Sequence, residues 1–432
     1  MPSGLIKASQ SDHLINSLIP VTVALHLSAG IRQLGLLTLF AWIVLQLLSR
    51  IRTLIQKGAT RETWLSWTLL LGLFLFNVRN IVLRDDYRGP ILILLIATGW
   101  LLGSQFNPRQ WRHLLAWLAV SIVPIALFFA IQLSLEGSWI APSAELAQSC
   151  ADHQDVSAMF CTYYKLVQTS MGSINRLATL MTFLTLAAWY SACLARQRWT
   201  RVGFSLVTAS GFLIIFGTDS RMAVVAVPLA VVLPWLGLRL HQRFTLKRWL
   251  ISLMTATILL AFAAWEWVIK SGIGSDAMRL RIAKCWIRQG MFRSTERFWM
   301  GSGYDTSSIS EACHYINPDN SFGHAHNTIA QIAGNHGLLG LLGLIGFTAL
   351  ILNGLWRQLQ PQQHRLDWSP CSSTNWGEIS LGLNLALLFC ALATTVQEFS
   401  PVNQLLIGLV AGSSCIALPN DIKPGMPENQ DP

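Results

Sequence analysis

The chain has 432 residues, 52% hydrophobic and only 12% charged, with a formal net charge of +10. Ordinary soluble domains carry about 25% charged residues, so this chain has too little charge to cover a water-facing surface. An all-α polytopic membrane protein remains, and 18 tryptophans suit it because indoles favour the membrane interface.

Windows of about 20 apolar residues predict about 12 transmembrane helices in chain order. They fall near 14–30, 34–52, 63–84, 90–106, 112–133, 174–195, 202–218, 222–239, 248–269, 326–355, 379–397 and 402–418. Residues 1–13 are polar and show no cleavable signal peptide. With the N-terminus in the cytoplasm, the inner loops and adjoining span ends hold Arg50, Arg52, Lys57 and Arg61; Arg109 and Arg112; Arg196, Arg198 and Arg201; Arg239, Arg243, Lys247 and Arg248; and Arg357 and Arg365. Every inner loop is then basic, as the positive-inside rule requires. Much of the net charge is therefore a topology signal, and no nucleic-acid partner is needed to explain it.

This arrangement makes residues 1–418 one transmembrane helical domain with both termini cytoplasmic. Two long loops, 134–173 and 270–325, fall outside, the larger between the ninth and tenth spans. Residues 419–432 form a polar, Pro-rich cytoplasmic tail that carries no fold of its own. Neither an internal repeat nor a soluble domain is visible.

Four of the eight cysteines lie in the outer loops, where oxidation is permitted. Cys150 with Cys161 and Cys285 with Cys313 are the candidate intraloop pairs, although spacing alone does not fix pairing. Cys193, Cys390 and Cys415 lie in spans and read as small apolar filler. In the larger loop, 277–293 alternates apolar residues (Met278, Ile282, Cys285, Trp286, Met291) with arginines at helical spacing, which suits a helix lying on the membrane surface. Residues 301–323, rich in Gly, Ser, Asp and Asn, read as irregular. Arg279, Arg281, Lys284, Arg288, Arg293 and Arg297 cluster on the outer side, where the topology rule expects few positives, so they need a cause of their own.

The next span opens with Gly323-His324-Ala325-His326-Asn327 and carries Gly334, Gly337, Gly340, Gly343 and Gly346. A step of three falls about 60° short of a helical turn, so these glycines wind round the helix and permit close packing on several sides. A neutral imidazole is the default general base near neutral pH. His326, beginning this helix, would meet a dipole that disfavours imidazolium. A bland capping role is the alternative, with His324 a second polar contact and His336 an internal packing residue.

Arginine suits phosphate oxygens, and Arg221, in Gly217-Thr218-Asp219-Ser220-Arg221, is costly at a span end without an anionic partner. Asp219 could neutralise it locally. Arg176 opens another span on the same side. A neutral base with several arginines at the outer face implies an anionic, membrane-borne substrate such as a polyprenyl diphosphate.

Taken together, these pieces resemble the O-antigen ligase and O-antigen polymerase superfamily. The resemblance rests on the 172–178 entry, Thr218-Asp219-Ser220-Arg221, the Arg-rich stretch into Trp299-Met300-Gly301-Ser302-Gly303-Tyr304, and His326-Asn327-x9-Gly337-x-x-Gly340, covering roughly residues 170–355. It implies periplasmic transfer of a lipid-linked glycan to a hydroxyl acceptor, at the bacterial inner membrane and with neither metal nor cofactor. His326 would be the base and Arg221 a diphosphate contact. A second essential arginine maps to Arg281 or Arg279, since the Trp expected four positions after it is displaced: Cys285 follows Arg281 at that distance, and Trp286 comes one later. Arg176, His324, Asn327 and Tyr304 complete the expected substrate contacts. Lipid A core, a second lipid-linked repeat and a protein hydroxyl are the possible acceptors. The rival readings are a transporter for lipid-linked sugars and a metal-dependent transferase using Asp85-Asp86.

Overall fold

A computed structural model describes residues 12–27, 32–57, 68, 71, 88–135, 174–217, 221–240, 274–303, 307–316, 325, 327–359, 376–393 and 400–416. Every regular element among them is helical. In chain order these are α1 (Leu18–Leu27), α2 (Arg32–Lys57), α3 (Arg88–Gln105), α4 (Pro108–Val120), α5 (Ile122–Leu135), α6 (Ile174–Leu194), α7 (Arg198–Gly217) and α8 (Arg221–Leu240). Then follow α9 (Gly274–Gly290), α10 (Thr295–Met300), α11 (Ser307–Cys313), a 3₁₀ turn (His314–Ile316), α12 (Thr328–Leu359), α13 (Trp376–Ala393) and α14 (Pro401–Ser413).

Among the described residues, four stretches are long and apolar enough to cross a membrane: Pro108–Ile131, Arg176–Leu194, Arg198–Phe216 and Thr328–Leu359. Five shorter apolar helices accompany them: Gln33–Ser49, Ile91–Gln105, Ala223–Trp235, Trp376–Ala391 and Pro401–Ser413. The predicted span 248–269 lies outside the described residues, as does 63–84 apart from Thr68 and Leu71. Loop 134–173 beyond Leu135, the tail 419–432 and the Asp85-Asp86 pair also lie outside them.

Local chemistry explains the helix ends. α4 starts on a capping box: Asn107 Oδ1 accepts the Gln110 N–H, the Gln110 side chain returns to the Asn107 N–H, and Pro108 takes the first turn. The Ser121 N–H reaches the carbonyls of Trp117 and Leu118, so α4 runs into α5 as one rod. α10 begins on Ser294, whose side chain accepts the Arg297 N–H, and ends on Gly301 at φ +65°.

Packing relies on small residues. Gly99 and Gly103 of α3 meet Gly408 and Gly412 of α14, each glycine lying against the other helix's backbone around Ile96, Trp100, Leu405 and Leu409. Both helices thus present a small-x3-small face, which permits the close backbone approach that drives association in lipid. The main apolar core gathers Trp42, Trp111, Leu114, Leu180, Leu184 and Leu405 from α2, α4, α6 and α14.

The helices have a shared polarity. α6 and α7 are joined through 195–197 and pack with Gly211 against Thr185, an antiparallel hairpin. Three residues separate α7 from α8, so α8 again runs parallel to α6, where Tyr190 donates to the Ala230 carbonyl at 3.3 Å. The C-terminal end of α12 joins that of α14, as Gln358 Nε2 donates to Ser413 O at 2.7 Å and Ile416 O at 3.3 Å. At the opposite end of α14, Asn403 Nδ2 donates to Arg176 O at 3.1 Å. The starts of α6, α8, α12 and α14 therefore share one end of the bundle.

Four sequence expectations change. α9 does not spend its apolar face on lipid: Ile282, Ala283, Cys285 and Trp286 are buried, packed with Ile309, Cys313, Ala325 and Ala330. Part of 301–323 is helical, since α11 and the 3₁₀ turn occupy 307–316. The predicted span 326–355 is really two segments broken at Gly337 (φ +59°, ψ −151°), with a protein-covered N-terminal part and an apolar C-terminal part. Cys193 is disulfide-bonded rather than apolar filler. Cys390 and Cys415 form no disulfide.

Candidate functional site

α12 begins at Thr328, two residues later than the sequence pattern suggests. Asn327 Oδ1 accepts the Ala330 N–H at 2.9 Å and Asn327 O accepts the Gln331 N–H at 2.9 Å, which makes Asn327 the N-cap. His326 thus precedes the cap rather than starting the helix. Just before it, the fully buried Ala325 donates its N–H to Gln331 Oε1 at 2.7 Å. Both neighbours of position 326 are therefore tied to the first turn of α12. His326 itself lies outside the described residues, as do His324 and Tyr304.

The N-terminal segment of α12 is polar but buried. Asn327, Gln331 and Asn335 recur at steps of four and share one face. Gln331, Asn335 and His336 are buried with Gly334 and Gly337. α9 covers this segment: Trp286 lies on Gly334 and donates Nε1–H to Asn335 Oδ1 at 3.2 Å, and Gly290 meets the Gly334 backbone.

The break at Gly337 is closed by chain from outside the helix. Ser302 N–H donates to Gly334 O and Gly303 N–H to Asn335 O, both at 2.8 Å. Gly301, Gly303 and Gly337 all have positive φ, a conformation other residues adopt only at a cost. A Cβ on Gly337 would lie 2.6 Å from Phe298 O and 2.7 Å from Gly301 N. Cys285 is bonded to Cys313, which fastens α11 to α9. This pair was one of the two read from spacing; Cys150 and Cys161 lie outside the described residues.

The arginines divide between two places. Arg279 and Arg281 are both exposed on α9. Helical spacing sets Arg279 on the line of Ile282, Ala283 and Trp286, which faces α12, and Arg281 on the outward line of Lys284 and Arg288. Arg176 is half-buried near the start of α6, and its carbonyl accepts from Asn403. Arg221 begins α8 at the same bundle end.

Gln331 and Asn335, passed over in the sequence, join Trp286 in the connections that hold this region together. A stripe of amides at four-residue steps on an otherwise apolar helix was the available signal. Among the described residues no cluster of three or more metal-type ligands occurs. No protein-family model matches the chain, and a search of the curated proteins finds no match.

Proposed function

We propose that this chain is a metal-independent glycosyltransferase of the O-antigen ligase type at the periplasmic face of the bacterial inner membrane. It moves a glycan from a polyprenyl diphosphate to a hydroxyl acceptor such as lipid A core. The observation that carries the reading is the double anchoring of the residues flanking His326, by Gln331 on one side and the Asn327 cap on the other. A general base must be held within hydrogen-bond reach of the proton it removes, so a rigid seat is what such a histidine requires.

In the proposed reaction His326 takes the proton of the acceptor hydroxyl. The oxygen attacks the sugar carbon, a new C–O bond forms, and the bond from that carbon to the diphosphate oxygen breaks. The diphosphate leaves with the electron pair, and its charge falls to Arg221, Arg176 and one of Arg279 and Arg281. Helical spacing favours Arg279, because its line on α9 is the one turned toward α12. His324, Asn327 and Tyr304 are the further substrate contacts, and surrounding membrane lipids supply the setting. The sugar–phosphate bond drives the transfer, without nucleotide hydrolysis. Joining of two lipid-linked repeats, or transfer to a protein hydroxyl, would use the same groups with another acceptor.

The test is reconstitution of the full chain with a polyprenyl-diphosphate glycan and each acceptor in turn. His326→Ala should insert and fold yet lose transfer by about 10²–10⁴-fold. Retention of more than about a tenth of the rate contradicts the reading.

One observation favours a second reading, a transporter of lipid-linked sugars. α12 is discontinuous at Gly337 beside buried Asn335 and His336, and broken helices with polar groups are where transporters bind substrate. Flipping of the lipid-linked sugar in proteoliposomes, with no glycan transfer, would favour it.

A further inference from the structure

We infer that the outward face of α9 and the turn that follows it form a membrane-docking surface for phosphate-bearing lipid headgroups. Arg281, Lys284, Arg288 and Phe292 lie at steps of three, four and four, so they form one exposed stripe opposite the buried Ile282, Trp286 and Gly290. The turn preserves the helical spacing, since the Phe292 N–H still reaches the Arg288 carbonyl. No Asp or Glu occurs between residues 277 and 295, so the stripe has no acidic neighbour in its own segment. It ends on aromatic residues that face outward: Phe292 is 62% exposed and Trp299 48%, with Phe298 packed between them at ring separations of 5.9 and 5.5 Å.

The depth of this turn follows from α12. Below Gly337, residues 338–356 are apolar apart from Thr348 and Asn353, with Leu339, Leu342 and Ile345 exposed, over a length of about 28 Å at 1.5 Å per residue. That matches a hydrocarbon core about 30 Å thick. Above Gly337, the run from Ala330 to Gly337 is buried by protein instead. Gly337 touches Phe298 and Trp299, which sets the aromatic turn at the level where hydrocarbon begins. Exposed aromatics at that level with guanidinium and ammonium groups beside them are the chemistry of an interface facing anionic lipid. It also gives the outer arginine cluster a cause independent of any catalytic role.

The experiment places the full chain in nanodiscs of equal phosphatidylglycerol and phosphatidylcholine and measures by native mass spectrometry which lipid stays bound. Wild type should retain phosphatidylglycerol preferentially. Lys284→Gln/Arg288→Gln/Arg293→Gln, which leaves Arg281 and Arg279 intact, should lose that preference by roughly fivefold for each cation removed. These positions are exposed, so folding is preserved and checked by Cys285–Cys313 formation. Phe292→Ser should weaken retention of both lipids. An unchanged preference in the triple variant overturns the proposal. So does loss of binding to a phosphorylated glycolipid acceptor with phosphatidylglycerol binding intact, which would make the face an acceptor site. The readout contains no catalytic step, so it stands or falls apart from the transferase reading.

Discussion

Replacing Gln331 by Leu removes one acceptor while keeping an apolar volume of similar size. The Ala325 N–H, fully buried and bonded to Gln331 Oε1 at 2.7 Å, then has no partner. Leaving a buried amide unsatisfied costs about 1–3 kcal/mol. If that cost is met by detaching 325–326 from α12, the share of molecules with His326 seated falls by about 5- to 150-fold, at 1.4 kcal/mol per tenfold. kcat for glycan transfer should fall by a similar factor while KM changes little, because the arginines on other helices are untouched. Gln331→Glu keeps an oxygen acceptor at the same place and should restore most of the rate. Initial rates in proteoliposomes measure the first effect, and hydrogen exchange at the Ala325 amide measures the detachment. An Ala325 amide that exchanges faster with kcat still within about twofold, well short of the effect expected of a misplaced base, would refute the positioning argument. An inactive His326→Ala beside that result would leave the base assignment standing.

Other outcomes follow from the same contacts. Gly337→Ala places a Cβ at φ +59° and 2.6 Å from Phe298 O; strain and crowding of about 1–3 kcal/mol each should speed hydrogen exchange at Ser302 and Gly303. Gly203→Ala, with nothing within 4 Å of the new atom, is the control and should gain up to about 1 kcal/mol of helix propensity. Gly408→Val drives a branched side chain into the Ile96 and Trp100 backbone of α3 and should lower the thermal melting midpoint measured in detergent, whereas Val at Gly203 should not. Opening the Cys285–Cys313 bond, whose sequence separation is 28, removes about 3.5 kcal/mol of chain-entropy restraint. Limited proteolysis should then cut between 303 and 316 in the Cys313→Ser variant and not in wild type.

Much of the bundle was readable because membrane helices announce themselves by length and hydropathy. The predicted spans 112–133, 174–195 and 202–218 meet helices of matching extent, since a segment in lipid has to satisfy its own backbone groups. The amphipathic repeat of 277–293 correctly foretold α9, but periodicity reports only that one face is apolar. It does not report whether lipid or protein covers that face. Trp286 answered for protein, by meeting a glycine 48 positions away in the chain. The paired glycines of α3 and α14 were visible as spacing, yet each motif acquires meaning only from the other.

By itself the sequence determined an all-helical, apolar chain with its polar groups collected around Arg221, the 270–325 loop and the start of α12. Those properties are local, set by side-chain transfer energies and helical periodicity. Tertiary structure decided the break at Gly337, because its freed carbonyls are satisfied by Ser302 and Gly303 some thirty residues earlier. It also decided that Asn327 caps while Gln331 anchors Ala325. Each depends on which distant backbone group arrives at hydrogen-bond distance, and no residue carries that information alone.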